Sequence, residues 1–156
     1  METIYRKAKV CDLNPLCNLW DKLDRSHVRY HPTYILDSNI FEKRKRYIKK
    51  QLRSKKGFIY VAEHKGRIIG FIHGRIEDSP SILKIKKIGY LATIFIEKKY
   101  RGKGIGAELF RMLLKEFKKR KLRFVKTNVD IRNSSAIRFY KKVGFKNFKF
   151  NMMKDI

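Results

Sequence analysis

The chain has 156 residues, 43% hydrophobic and 13% aromatic, enough to bury the core of one domain and too apolar for a disordered polymer. With 40 Lys+Arg against 14 Asp+Glu the formal charge is +26, which attracts polyanions at long range without naming one. Cys11 and Cys17 are spaced for neither a disulfide framework nor a zinc site, and the opening METIYRKAKVCD lacks the apolar run of a signal peptide. No stretch approaches the roughly 18 apolar residues of a membrane span, so the expectation is a cytoplasmic protein with free thiols, no metal and no membrane.

In chain order, Thr3 to Val10 reads as a short strand, and Asp12 as the cap of a helix whose apolar stripe is Leu13, Leu16, Leu19, Trp20 and Leu23. The segment DRSHVRYHPTYILDSN breaks it. A second helix is expected from Asn39, with Glu42 as capping-box partner and Phe41, Ile48 and Leu52 on its buried face. Its other face is lysine and arginine. FIYVAEH, the turn KG and RIIGFIHGRIE form an antiparallel hairpin, ended by DSPS. IGYLATIFIE follows, apolar on both sides, with Ile88, Tyr90, Ala92, Ile94 and Ile96 expected on one face and Leu91 and Phe95 on the other. A strand of that pattern is central. IGAELFRMLLKEFKKRK then gives a helix with Leu109, Phe110, Leu113, Leu114 and Phe117 inward, and RFVKTNVD a fifth strand. Asn133 caps a short helix ending before Gly144, and FKNFKFNMMK closes the chain as a strand.

Between the central strand and its helix lies YRGKGIGAELF, with Gly102, Gly104 and Gly106 among cations. A helix start leaves about four N–H groups unpaired and carries partial positive charge, and glycines let an anion approach that backbone. The motif therefore points to a phosphate cradle. A Walker loop requires Lys followed by Ser or Thr, where this chain has Ala107 and Glu108. Gly102, Gly104 and Ala107 satisfy the GxGxxA of a dinucleotide fold, but too little chain follows for the further βα units that fold needs. A glycine-rich turn that merely tightens a corner would not need three glycines flanked by cations.

Arg101-x-x-Gly104-x-Gly106, the preceding LATIFIEKKY and the following NSSAIRFYKKVGF together resemble the GNAT superfamily of acetyl-CoA-dependent N-acetyltransferases. The likeness is close from Gly57 onward and holds only in outline for the first two helices. It implies an α+β fold: a mostly antiparallel sheet of six to seven strands with about four helices, its central pair splayed, in one domain over 1–156. It further implies acetyl-CoA as cosubstrate. The pantetheine would meet the backbone of Ile94, Phe95 and Ile96. The pyrophosphate would meet Arg101, Gly102, Lys103, Gly104, Ile105, Gly106 and Ala107, and Asn133, Ala136 and Tyr140 would complete the coenzyme site.

Acetyl transfer to an amine requires a neutral nucleophile, stabilisation of a developing oxyanion and a proton for the leaving thiolate. The resemblance gives the oxyanion to the Ile94 N–H and makes Tyr140 the general acid. Many relatives carry a carboxylate where this chain has Ala92 and Thr93. The base is therefore open among Glu63, Glu77, His27, His31 and a water chain. The acceptor is an amine of a protein, peptide or small molecule, and the assembly a monomer or homodimer. A rival reading makes the chain a basic module for nucleic-acid-associated or acidic partners. Its support is EKRKRYIKKQLRSKK, including Lys49, Lys50, Arg53, Lys55 and Lys56, and a charge of 22 Lys+Arg against 5 Asp+Glu in residues 79–156.

Overall fold

A computed structural model describes residues 3–30, 33–154 and 156. Among them lie strands β1 (Thr3–Lys7), β2 (Gly57–His64), β3 (Arg67–Asp78), β4 (Lys87–Ile96) and β5 (Val125–Lys126), and helices α1 (Leu13–His27), α2 (Ile40–Arg53), α3 (Ile105–Lys119) and α4 (Ser134–Lys142). The strands form one sheet in the order β1-β2-β3-β4-β5, antiparallel throughout except for the parallel pair β4 and β5. Among the described residues no helix is long and apolar enough to cross a membrane, and no group of three or more His, Cys, Asp or Glu is placed to hold a metal ion.

The alternation along β2 explains the layering. Ile59 and Val61 join Leu16, Leu19, Trp20 and Ile48 on the α1/α2 side, while Phe58, Tyr60 and Ala62 join Leu109, Leu113 and Phe117 on the α3 side. Both sheet faces are thereby covered. Gly74 and Gly89 set how close α3 comes: a Cβ at either would lie within 3 Å of the Leu113 or Phe117 side chain.

The observed fold corrects several expectations. Five strands form rather than six or seven, because β5 pairs with β4 only at Gly89↔Val125 and Tyr90↔Lys126. With so short a partner, residues 145–154 have no ladder to join, and Phe148 stands 96% exposed. Asp12 occupies the N-cap position of α1 but makes no side-chain cap there; its carboxylate accepts from the Lys9 N–H at 2.7 Å and from the Arg6 guanidinium at 2.7 and 2.9 Å. Asn39 makes no side-chain cap either, since Asp37 accepts from the Asn39 N–H and pairs with Lys43, and Phe41 lies outside the core.

Along β4 the expected alternation fails at one residue. His73 faces Thr93 and Gly74 faces Leu91, so Ala92 has no partner across the ladder. This bulge flips the phase: Leu91 joins Ile94 and Ile96 on the α3 side, and Phe95 lies on the α1/α2 side.

His73, fully buried beside Trp20 and Tyr47, holds its Nε2 at 3.2 Å from Gln51 Oε1 and leaves Nδ1 without a partner. Burial first, then Arg75 and Arg44, push its pKa down to about 3. An unfolded chain takes up that proton below about 6.5, whereas the folded one does not. Stability from this site is thus full above pH 6.5 and falls as pH drops toward 3. Urea unfolding between pH 6.5 and about 5 should show a slope that His73→Leu flattens; an unchanged slope would mean that His73 titrates normally.

Candidate active site

At the C-terminal end of β4 a short 3-10 turn, Lys98–Tyr100, delivers the chain to the glycine loop. Gly102 and Gly104 adopt φ of +77° and +81°, left-handed conformations that side chains rarely take, and open space surrounds the place of each missing Cβ. Among the described residues none of the N–H groups from Gly102 through Ala107 donates to a backbone carbonyl. Buried Ile105 and Leu109 fix the first turn of α3 to the sheet, so the positive end of the helix lies beside these amides. Gly106 is needed for contact, since a Cβ there would sit 3.1 Å from the Phe139 ring and 3.6 Å from Ile94. Ala107 is exposed on the same turn, and Lys103 stands over the Tyr100 ring.

Arg101 folds back, its Nε donating to the Ile96 carbonyl at 2.8 Å, while the Glu97 N–H donates to Ile69 of β3 at 2.9 Å. Successive residues of a strand face opposite edges, so Ile94 and Ile96 direct their backbone groups away from β3 and Phe95 directs its own toward it. The outward edge is open because β5 has already left the ladder. Its last contact is the Thr127 hydroxyl, which donates to the Leu91 carbonyl at 2.9 Å.

Tyr140 is buried where the strands part, its ring 5.5 Å from Phe139 and 5.6 Å from Phe145. Burial raises its pKa above 10, and a hydrogen bond with Thr127 pulls the other way. Asn133 Oδ1 accepts from the Ala136 N–H at 3.1 Å, which makes this pair the cap of α4. A cleft of about 480 Å³ borders the loop on the α1 side, lined by Lys22, Arg67, Phe95, Glu97 and Arg101 among others. Burial opposes ionisation of Glu97, but Lys22 at 2.8 Å and Arg67 at 2.7 Å hold its carboxyl below the usual range.

The family model of the acetyltransferase (GNAT) family matches residues 19–145. The chain belongs to that family. It is 36% identical over 103 residues to an N-alpha-acetyltransferase of Sulfurisphaera tokodaii, covering 63% of this chain and 62% of the relative. It is 34% identical over 93 residues to an uncharacterized N-acetyltransferase of Methanocaldococcus jannaschii, covering 60% of this chain and 40% of that protein. The chain thus spans less than two thirds of these relatives. Among solved structures, a predicted acetyltransferase from Clostridium acetobutylicum with acetyl-CoA superimposes at a TM-score of 0.80 with 22% identity, over 99% of this chain and 96% of that one. A Bacillus halodurans protein does so at 0.86 with 20% identity, over 98% and 99%. At these identities the likeness concerns the GNAT fold.

On this GNAT scaffold the four candidate bases separate. Glu63 lies on β2 and is engaged by Arg6 at 2.8 Å. Glu77 is clamped by Arg75 at 2.7 Å and Lys126 at 2.8 Å; burial opposes its ionisation, yet the two cations keep its carboxyl below the usual range. His27 ends α1 beside Tyr30 and Tyr34, and burial lowers its pKa while Asp24 and Asp130 act in the opposite sense. His31 lies outside the described residues. The sequence did not single out Thr127, which the fold places between the Leu91 carbonyl and Tyr140; its partners are distant in the chain, so no local pattern reveals it.

Gly104→Val is expected both to strain a φ of +81° and to fill the open space beside the loop through which an anion would approach its amides. Calorimetry with acetyl-CoA should show affinity reduced by on the order of tenfold or more in a variant whose circular dichroism is native. Parental affinity would remove the loop from the binding site.

Proposed function

We propose that the protein, acting as one domain over residues 1–156, transfers an acetyl group from acetyl-CoA to a primary amine by direct attack in a ternary complex. The observation that carries this reading is the continuity of backbone without a backbone partner among the described residues: the amides of Gly102 through Ala107 adjoin the β4 edge that β5 leaves unpaired at Ile94 and Ile96, where only the Ile96 carbonyl is met, by the Arg101 side chain. The C. acetobutylicum neighbour with acetyl-CoA supports the choice of cosubstrate. Relatives named N-alpha-acetyltransferases in S. tokodaii, Arabidopsis thaliana and Sulfolobus acidocaldarius favour the α-amino group of a polypeptide as acceptor. Aminoglycoside N-acetyltransferases among the structural neighbours are 14 to 15% identical and weigh less. A cytoplasmic location accords with that chemistry.

In the reaction the amine nitrogen bonds to the thioester carbonyl carbon, the C–S bond breaks, the amine loses a proton and the thiolate gains one. The Ile94 N–H, on the open edge, takes the carbonyl oxygen's developing charge. Arg101 and Lys103, with the loop amides, hold the pyrophosphate. Tyr140, protonated throughout the physiological range, supplies the proton to sulfur. His27 is the favoured acceptor of the amine's proton, directly or through water, because burial favours its neutral, proton-accepting form, whereas Glu63 and Glu77 are bound to cations.

Tyr140→Phe keeps the ring and removes the proton, and should lower kcat on the order of 10²-fold with acetyl-CoA affinity retained. Unchanged kcat under chemistry-limited conditions would reduce Tyr140 to packing.

The pH profile of kcat should be broad, with an acid limb below pH 6.5 from His27 and an alkaline limb above 10 from Tyr140. In kcat/KM the free acceptor adds its own limb, near 8 for an α-amine and near 10 for a lysine. An acid limb unmoved by His27→Gln would exclude that residue.

A further inference from the structure

The sheet topology gives the molecule two unlike ends. β2 and β4 begin, β3 finishes and β5 begins at the end opposite the glycine loop, as the pairs Gly57↔Arg75, Lys87↔Asp78 and Gly89↔Val125 show. Because α2 runs into β2 and α3 into β5, both helices also finish there. Arg120, just past α3, lies 5.4 Å from the ring of Phe58, the second residue of β2, so the end of α3 on one sheet face lies beside the strand that α2 enters from the other.

That end is basic beyond what its structure uses. The carboxylates of Asp78, Glu116 and Glu77 are already paired, with Lys56, Arg120, and Arg75 plus Lys126. Around them Lys50, Arg53 and Lys55 leave α2, and Lys118, Lys119 and Lys121 leave α3, all exposed and none in an ion pair among the described residues. A helix C-terminus favours a cation or two in its last turn, which accounts for Lys50, Arg53, Lys118 and Lys119. It does not account for Lys55, Lys121 or Arg123 beyond the helices, nor for Lys84 and Lys87 across the 79–86 loop. Like charge gathered this way repels itself and weakens the fold unless a polyanion neutralises it.

Within the cluster stands an exposed ring. Phe124 is 48% exposed, and the Arg123 guanidinium sits 5.3 Å from its centre. A ring flanked by cations is a platform for an unstacked base, which a duplex does not offer and a single strand does. We propose that this end of the sheet, formed by the C-termini of α2 and α3 with Phe124 at its edge, is a docking surface for single-stranded nucleic acid. It is separate from the acetyl-transfer site and does not rest on that assignment. A strand bound there leaves the glycine loop at the opposite end open.

Fluorescence anisotropy of a labelled short oligouridylate, titrated with the full chain across a potassium chloride series, tests the proposal. The parent should bind with an affinity that falls steeply with salt. Combined R53Q, K55Q, K118Q, K119Q and K121Q should weaken binding by at least about tenfold and flatten the salt slope by roughly 0.7 for each phosphate no longer neutralised. Phe124→Ala should weaken binding on the order of fivefold or more with the slope unchanged, an effect that loss of charge does not produce. Acetyl-CoA affinity and melting temperature, measured in parallel, report on the fold and on the other site. Equal binding by parent and charge variant would overturn the proposal. So would equal affinity for duplex and single strand with Phe124→Ala silent, or binding to phosphatidylserine vesicles without binding to the oligonucleotide, which would make exposed Ile82 and Leu83 part of a membrane contact.

Discussion

The unopposed residue in β4 shapes everything above it. Ala92 is left out of the ladder two residues past the last pair of β4 with β5, and beyond that pair a hydrogen bond from Thr127 to the Leu91 carbonyl is what joins the two segments. A bulge there bends a strand and adds local twist. In an ordinary sheet the outward N–H and C=O groups of Ile94 and Ile96 would be consumed by a neighbouring strand. Here one carbonyl is met by Arg101 and the remainder face the gap. Buried backbone polar groups without partners are costly, so an edge like this persists only where a ligand, water or side chain meets it. The same bulge rotates Leu91, Ile94 and Ile96 onto the α3 face. The walls of the gap and the floor beneath α3 are thus set by one displacement.

The glycine loop depends on that placement. α3 presses on the sheet because Gly74 and Gly89 leave room for Leu113 and Phe117, and Gly106 lets its first turn approach Phe139 and Ile94. The first turn is thereby fixed beside the open edge instead of being held away by side chains. Gly102 and Gly104 then supply backbone shape, and the buried Ile105 and Leu109 supply rigidity. An anion site of this kind gains from being organised before the ligand arrives, since no amide must be turned at the moment of binding.

What could be read from the sequence follows from how locally each feature is determined. The amphipathic stripe of Trp20 and Leu23, the β2–β3 hairpin and the loop from Arg101 to Gly106 are each encoded within about one turn or one strand, and all were legible. The bulge at Ala92 was not, because LATIFIE reads as regular alternation and only its register against His73 and Gly74 shows the extra residue. The closing strand failed for a related reason: FKNFKF has the right alternation, but a strand needs a partner edge, and β5 offers only Val125 and Lys126. Likewise Glu63 and Glu77 are equivalent as sequence, and only the fold places Arg6, Arg75 and Lys126 beside them.

Those clamps bear on how a protein of this charge manages proton chemistry. With 40 Lys+Arg and 14 Asp+Glu, any carboxylate near a cleft is readily surrounded by cations, and each cation lowers its affinity for a proton. Asp12, Glu77 and Glu97 all show this: burial alone would have raised them, yet guanidinium and ammonium partners hold them ionised. Asp24 shows the other outcome: burial outweighs its Arg44 partner at 2.8 Å and raises the carboxyl, so a cation holds a carboxylate ionised only where it outweighs burial. An imidazole is affected differently, because nearby cations and burial favour its neutral, proton-accepting form. At His27 burial prevails over the opposing pull of Asp24 and Asp130. For a carboxylate, burial and neighbouring cations thus pull in opposite directions, whereas for the His27 imidazole both favour the neutral form.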